Sequence, residues 1–168
     1  GKTTLVDTLA YVSGSSKRHG SIQDGTTLTD HSADEVERKH SISLGVGFAE
    51  WMDTKINLLD APGFLDFLGE ATAALYAADA AVVVLNATGG VEVGAEKVWE
   101  ICDQLHLPRL LFVTQMDRER ADFHQALKEV REVLEVQEVP ILLPIGREAG
   151  FKGVVDLIGQ KAYVAAAG

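Results

Sequence analysis

Gly1-Lys2-Thr3-Thr4 begins the chain and matches the second half of a phosphate-binding loop, whose full pattern is G-x-x-x-x-G-K-[ST] between a strand and a helix. The backbone N–H groups of such a loop form a concave nest for phosphate oxygens, and the dipole of the next helix adds positive potential there. Lys2 supplies a point charge for outer phosphates, and the Thr3 hydroxyl suits a Mg²⁺ ion. Four residues match by chance too often to decide a function, so the rest of the chain must supply the context.

The composition limits the kind of protein. With 168 residues, 46% of them hydrophobic, the chain has the size of one domain and enough apolar surface for a packed core. No apolar run is long enough to span a bilayer, and a net charge of −10 opposes binding to a nucleic-acid backbone. Cys102 is the only cysteine, which fits the reducing cytoplasm. We therefore expect a cytoplasmic protein whose segment here binds neither membrane nor nucleic acid directly.

A helix is predicted directly after Lys2. Leu5, Leu9 and Val12 fall on one face at helical spacing, and Gly14-Ser15-Ser16 ends the helix.

Polar residues dominate the next segment, 15–40, which shows no sustained periodicity and predicts a long functional or mobile loop. Two strand-like runs follow at 46–51 and 56–59. The short polar link between them predicts an antiparallel hairpin.

Two predicted turns contain an aspartate, and each follows an apolar run. Asp60-Ala61-Pro62-Gly63 follows the second strand, and Thr114-Gln115-Met116-Asp117 follows the run 110–113. The runs 81–85 and 110–113 are continuously apolar, which predicts strands buried on both faces. Three further helices are predicted from apolar residues at helical spacing: Phe67, Ala71, Ala74, Leu75 and Ala78; Ala95, Val98, Cys102 and Leu105; Phe123, Leu127, Val130 and Leu134.

Strands that alternate with helices of this length predict an α/β fold with a mostly parallel sheet flanked by helices. Asp60 and Asp117 each follow a predicted strand, so both are expected at one edge of the sheet, together with the loop at Gly1.

In order and rough spacing, the three motifs resemble the GTPase motifs of translation factors, which are P-loop proteins. The closer resemblance is to the GTP-binding domain of elongation factor G, and it rests on these further stretches: Asp66-Phe67, Gly90-Val91-Glu92, Met116-Asp117-Arg118 and Ala121-Asp122-Phe123. Residues 143–158 resemble the start of an insert that elongation factor G carries and elongation factor Tu lacks. The resemblance implies a GTP-binding domain over residues 1–140, truncated at its N-terminus, and the start of the insert over residues 141–168, truncated at its C-terminus.

The family's residue roles transfer where the residues match. The resemblance implies that Thr3 and Ser41 hold Mg²⁺, that Asp60 reaches it through water, and that the Gly63 N–H senses the γ-phosphate. Asp117 would accept hydrogen bonds from the guanine ring, which adenine cannot supply, because a carboxylate only accepts. Nucleotide contacts are implied for Gly1, Lys2, Thr3, Thr4, Asp60, Gly63, Thr114, Gln115 and Asp117.

Three departures from the family pattern predict a divergent relative of elongation factor G. The catalytic turn usually has histidine after Pro-Gly, and here Phe64 follows Gly63; it is either a packing residue or a functional replacement. Thr114-Gln115 replaces Asn-Lys, which predicts weaker guanine binding. Lys39-His40-Ser41 replaces a lysine-rich first switch.

The family's first strand and the front of the phosphate loop are missing from this sequence, and its last motif would follow Gly168. We therefore expect a fragment of a longer protein, one that folds marginally and binds nucleotide weakly on its own.

The function expected from the resemblance is Mg²⁺-dependent binding and hydrolysis of GTP that switches an interaction with the ribosome during elongation. The first alternative is a GTP-binding regulator that does not hydrolyse GTP, because the side chain of Phe64 has no polar atom with which to position water. The second is an ATP-using P-loop enzyme such as a kinase, against which Asp117 argues.

Overall fold

The computed structural model describes residues 1–165, and these form two compact units. Unit 1 comprises Gly1–Ala81 and Glu100–Arg109, and unit 2 comprises Val82–Trp99 and the chain from Leu110 onward. The last three residues of the predicted insert, 166–168, lie outside the described residues. Within residues 1–165, no helix combines the length and the apolar character that crossing a membrane requires.

Unit 1 opens with helix α1, Lys2–Val12, as predicted. The apolar face that the spacing defines is not the buried one: Leu9 and Val12 are exposed, and the buried residues are Thr3, Asp7 and Ala10. The face that carries Asp7 is buried because of hydrogen bonding. The Asp7 carboxylate points inward and accepts hydrogen bonds from the backbone N–H groups of Gly20 and Leu28, in the loop that follows.

The polar segment 15–40 contains helix α2, Ala33–Arg38, which the sequence analysis missed. Its N-terminus is a capping box, in which the Ser32 side chain accepts the Glu35 N–H and the Glu35 side chain accepts the Ser32 N–H. The pattern S-x-x-E was the signal that could have found this helix.

The predicted hairpin is formed by β1, Gly45–Trp51, and β2, Thr54–Asp60, which pair antiparallel from Gly45↔Asp60 to Trp51↔Thr54. The two turn residues, Met52 and Asp53, have φ of 48° and 57°. Positive φ at both positions matches a type I′ turn, whose twist suits a two-residue hairpin.

Helix α3, Leu68–Ala77, follows a short 3₁₀ turn at Leu65–Phe67. It buries Ala71, Ala74 and Leu75, as the apolar spacing predicted.

A parallel strand pair forms between β3, Ala81–Asn86, and β4, Arg109–Thr114, which are connected through helix α4, Val93–Gln104. The Ala81 N–H donates to Pro108 O and the Ala87 N–H donates to Thr114 O, both at 2.9 Å, so the pairing advances in the same direction along both strands.

In unit 2, one face of β3 and β4 packs on the main apolar cluster, which contains Val83, Leu85, Trp99, Val130 and Leu134. The prediction that both strands are buried on both faces is wrong: Val82, Leu110 and Phe112 are exposed. Side chains alternate along a strand, so only one side of each run faces this cluster.

Helix α5, Phe123–Val133, starts at Asp122, whose side chain accepts the Gln125 N–H at 3.0 Å. The chain then forms a three-stranded antiparallel sheet from β5, Leu142–Ile145, β6, Gly153–Asp156, and β7, Lys161–Val164. Helices and strands thus alternate as an α/β fold requires, although of the three sheets within residues 1–165 only β3–β4 is parallel. The two-residue turn between β1 and β2 is too short for the crossover that a parallel pair needs.

Cys102, on α4, has no exposed surface, and burial raises the pKa of its thiol although the nearby Arg109 guanidinium lowers it. Arg109 also pairs with Asp103 on the same helix as the cysteine.

The hairpin turn gives a stability test. The double substitution Met52→Asn, Asp53→Gly should raise the free energy of unfolding by about 1 kcal/mol, because Asn-Gly adopts positive φ at both positions with less strain. Denaturant unfolding followed by tryptophan fluorescence measures it. Asn57→Gly, at an exposed mid-strand position of β2, is the matched control and should lower stability by roughly 0.5–1 kcal/mol. An unchanged midpoint for the Asn-Gly variant would contradict the turn assignment.

Candidate functional site

The start of α1 brings a hydroxyl of the phosphate-loop motif next to one from the segment after α2. Thr3 Oγ1 lies 3.1 Å from Ser41 Oγ, and Thr3 is buried. Gly1 is the N-cap of α1, and its carbonyl accepts the Leu5 N–H. The structure therefore joins two predicted metal-ligating residues, Thr3 and Ser41, at the N-terminus of a helix.

Thr4, in contrast, is exposed, and its carbonyl accepts the Thr8 hydroxyl at 2.7 Å.

Asp60, at the end of β2, is 2% exposed. Thr29 Oγ1 donates to its Oδ2 at 2.6 Å, and among residues 1–165 its buried Oδ1 has no hydrogen-bond partner. Burial raises the pKa of Asp60, whereas the hydroxyls of Thr29 and Thr3 lower it; the charge of Asp30 raises it further and that of Lys2 lowers it. The site therefore holds a carboxylate whose desolvation the protein compensates only in part.

Asp60 and Thr29 meet because Gly45, which pairs with Asp60 across the hairpin, has no side chain. A Cβ at Gly45 would lie 2.4 Å from the Thr29 Cβ, closer than real contacts allow. Only glycine permits this approach of the loop to the strand.

These residues fit a Mg²⁺ ion. The Asp60 Oδ1, buried without a hydrogen-bond partner among residues 1–165, lies near the Thr3 hydroxyl, which is 3.1 Å from that of Ser41. These groups are the hard oxygen ligands that Mg²⁺ prefers. Within the described part of the chain, no group of three His, Cys, Asp or Glu side chains could hold a metal by itself. A cation bound here would take its remaining ligands from water or phosphate, as Mg²⁺ commonly does.

Gly63 lies directly beside the amine of Lys2. A Cβ at Gly63 would come within 2.6 Å of Lys2 Nζ, so the missing side chain leaves room for the charged amine at this turn. The next residue, Phe64, is 54% exposed, and the centroid of its ring lies 4.7 Å from that of the His40 imidazole. The turn predicted to read the outer phosphate thus contacts both the lysine of the phosphate-loop motif and the segment around Ser41.

Glu35 holds the segment that carries Ser41. Its Oε1 accepts the N–H groups of Ile42 and Ser43 at 3.0 and 3.1 Å, and its Oε2 accepts the Ser32 hydroxyl at 2.8 Å. Burial alone would raise the pKa of Glu35, but these hydrogen bonds outweigh it and lower the pKa to about 2. A buried, ionised carboxylate therefore fixes the backbone immediately after Ser41.

Unit 2 carries the residues predicted to recognise guanine. Thr114 Oγ1 donates to Leu85 O at 3.0 Å and so joins β4 to β3. Gln115 has φ of 60°, Met116 turns into a small apolar cluster, and Asp117 is exposed. Met116 is thus buried, whereas its neighbours Gln115 and Asp117 are exposed.

The structure thus groups Lys2, Thr3, Ser41, Asp60 and Gly63 within unit 1, and places Thr114, Gln115 and Asp117 at the end of β4 in unit 2.

The sequence analysis missed the roles of Thr29, Glu35 and Asp7. For Glu35 the capping-box pattern was a usable signal. For Thr29 and Asp7 nothing local distinguished them from other polar residues, because each acts on a residue distant in sequence.

Comparison with known proteins decides the family. The model of the elongation factor Tu GTP-binding domain matches residues 1–163. The chain belongs to this family. Membership confirms the predicted α/β P-loop fold and implies that the domain binds a guanine nucleotide.

Proteins similar in sequence to this chain include several that are named elongation factor G. That of Gluconobacter oxydans is 38% identical over 98% of this chain and 23% of its own length, and elongation factor G 2 of Streptomyces coelicolor is 40% identical over 100% and 24%. A crystal structure of a protein from Thermus thermophilus superposes with a TM-score of 0.92 at 37% identity, covering 99% of this chain and 25% of that one. The chain spans about a quarter of the length of these relatives.

Neutralising Glu35 tests its hold on the Ser41 segment. Glu35→Gln should lower the free energy of unfolding by roughly 1.5–3 kcal/mol, since hydrogen bonds to a charged acceptor are lost, and should speed amide hydrogen exchange at Ile42 and Ser43. Because the folded-state pKa lies below the ordinary 4.5, this stabilisation is complete above pH 4.5 and is lost as the pH falls toward about 2. Glu37→Gln, on the same helix but exposed, is the control, and equal effects of the two variants would refute the assignment.

Asp60 should cost stability in the absence of ligand. Asp60→Asn should raise the free energy of unfolding without nucleotide by about 1 kcal/mol at neutral pH, because it removes a poorly compensated buried charge. As the pH falls through the raised pKa toward the ordinary value of 3.8, wild-type Asp60 also becomes neutral, so the difference should vanish. The exposed Asp66→Asn serves as control in the same unfolding titrations across pH. A less stable Asp60→Asn protein would contradict the argument.

Proposed function

We propose that this chain is the GTP-binding domain of an elongation factor G-like protein, in which Mg²⁺-dependent binding and hydrolysis of GTP switch the interaction with the ribosome during elongation. The observation that carries the proposal is the buried Asp60 carboxylate, whose Oδ1 has no hydrogen-bond partner among residues 1–165. It lies near the Thr3 hydroxyl, which is in turn 3.1 Å from the hydroxyl of Ser41. Membership of the GTP-binding-domain family and relatives named elongation factor G support it.

Mg²⁺ would be held by the hydroxyls of Thr3 and Ser41, with Asp60 contributing through water. When bound, the ion would neutralise charge on the phosphate oxygens. The chain's own residues prepare this site: Thr29 orients the Asp60 carboxylate, and Glu35 fixes the backbone next to Ser41.

Phosphate binding would use the backbone of Gly1 to Thr4 and the Lys2 amine. Lys2 lies in the space left by Gly63, so the γ-phosphate would meet the Lys2 charge and the Gly63 N–H together. Loss of the γ-phosphate on hydrolysis would remove the group that the Gly63 turn and the Ser41 segment are held to. The resulting change in their conformation could then be recognised by a partner.

Guanine selection would depend on Asp117, which only accepts hydrogen bonds and is exposed at the end of β4. Thr114 contributes by fixing this turn to β3, and Gln115 would lie along the base without the charge of a lysine.

The predicted domains remain part of the proposal: a GTP-binding domain over 1–140 and the start of an insert over 141–168. Support comes from the antiparallel sheet β5–β7, whose first strand begins at Leu142. The ribosome is the proposed partner, in the cytoplasm. The net charge of −10 supports the proposal that contacts with ribosomal RNA are made by parts of the protein outside this segment.

A second candidate is a GTP-binding regulator that does not hydrolyse GTP. It is favoured by Phe64, whose exposed ring occupies the position after Gly63 and has no polar atom to orient water.

Competition binding and single-turnover hydrolysis by the full-length protein test the proposal. GTP should displace a fluorescent GDP analogue far better than ATP, and ribosomes should accelerate GTP hydrolysis. Asp117→Ala should weaken GTP binding roughly 10- to 100-fold, the loss expected for hydrogen bonds to a charged group, while the exposed Glu119→Ala should bind normally. Equal binding of ATP would refute the proposal, and ribosome-independent binding without hydrolysis would favour the regulator.

A further inference from the structure

We propose that His40 is a positioning residue for the water that attacks the γ-phosphate. Its imidazole, on the first-switch segment, would take the place of the histidine that Phe64 replaces in the catalytic turn. This inference rests on the proposed function as a GTPase.

The first observation is the contact between the two rings. The centroids of His40 and Phe64 lie 4.7 Å apart with the ring planes tilted by 56°, a favourable aromatic arrangement. Phe64 directly follows Gly63, the residue beside the Lys2 amine. The imidazole therefore packs on the residue that follows the proposed γ-phosphate sensor.

The second observation is the position of His40 in the chain. It directly precedes Ser41, whose hydroxyl lies 3.1 Å from that of Thr3. The segment after Ser41 is in turn held by Glu35. His40 is thus half-buried between a fixed backbone on one side and the Phe64 ring on the other.

The third observation fixes the roles of the two ring nitrogens. Nδ1 of His40 lies 3.3 Å from the Ser41 carbonyl oxygen, which can only accept, so Nδ1 carries the hydrogen of this bond. In the neutral ring Nε2 is then the acceptor, and within residues 1–165 no hydrogen bond to it is present. An acceptor is what an attacking water needs, because the water donates one hydrogen and keeps a lone pair for phosphorus.

The hydrolysis step balances without a proton kept on His40. A bond forms between the water oxygen and the γ-phosphorus, and the bond from that phosphorus to the β–γ bridging oxygen breaks. The electron pair of the broken bond goes to GDP, and the water proton leaves with inorganic phosphate. His40 only accepts a hydrogen bond that orients the water, and Phe64 serves as the apolar surface that holds the imidazole in place.

The test compares variants of the full-length protein in two measurements. Single-turnover GTP hydrolysis with ribosomes reports the reaction, and binding of GDP with and without aluminium fluoride, a mimic of the transferring phosphoryl group, reports positioning. His40→Ala should slow hydrolysis on the order of 100-fold and lose affinity for GDP–aluminium fluoride, while its affinity for GDP alone stays unchanged. His124→Ala is the matched control, because His124 also packs on a phenylalanine, Phe123, with the ring centroids 5.8 Å apart.

A double variant keeps the inference testable if the first substitution disturbs folding. Phe64→His combined with His40→Ala returns an imidazole to the turn and should recover most of the hydrolysis lost by His40→Ala alone. A merely structural role of His40 predicts no such recovery and equal losses of affinity for GDP with and without aluminium fluoride.

The outcomes separate this inference from the proposed function. Wild-type hydrolysis by His40→Ala would overturn the inference and leave the GTPase standing. Wild-type protein that binds GTP without hydrolysing it would overturn the inference and favour the regulator. Wild-type protein that binds no guanine nucleotide would overturn both.

Discussion

The buried carboxylate of Asp60 is the constraint around which unit 1 is built. Burying a charge, as at Asp60 at the end of β2, is unfavourable unless other groups solvate it. Here one oxygen is satisfied by Thr29, whose approach is possible only because the hairpin register places a glycine, Gly45, opposite Asp60. The other oxygen has no protein partner among the described residues, which is the arrangement expected of a site completed by a ligand.

Two more carboxylates organise the long polar segment. Asp7, on α1, accepts hydrogen bonds from the backbone N–H groups of Gly20 and Leu28. Glu35, on α2, accepts hydrogen bonds from those of Ile42 and Ser43. This explains how a stretch without apolar periodicity holds a defined path: hydrogen bonds to two carboxylates on short helices fix the loop backbone. Such loops are also the parts of a protein that a bound anion or cation most readily reorganises, since their stability depends on a few polar contacts.

Sequence reasoning predicted the fold and named residues that the structure brings together in unit 1, but it did not find the residues that hold them in place. Asp60, Thr3 and Ser41 could be predicted because motif spacing and family resemblance point to them directly. The inward face of α1 could not, because hydrophobic periodicity selects Leu9 and Val12, whereas the structure places Thr3 and Asp7 on that face. The contact between His40 and Phe64 depends on how two loops meet in space, and no local pattern encodes it. The exposure of Val82 and Leu110 follows from strand alternation, which a continuous apolar run conceals.

The single cysteine gives the fold an internal reporter. Cys102 is fully covered on α4 and burial raises the pKa of its thiol, so an alkylating reagent reacts with it in molecules that have opened. With no second cysteine in the sequence to compete, the rate of its modification in native buffer measures how often this helix separates from its surroundings. Fluctuations of the domain can thus be followed without engineering a new cysteine, and their suppression by a bound nucleotide would appear as slower alkylation of the Cys102 thiol.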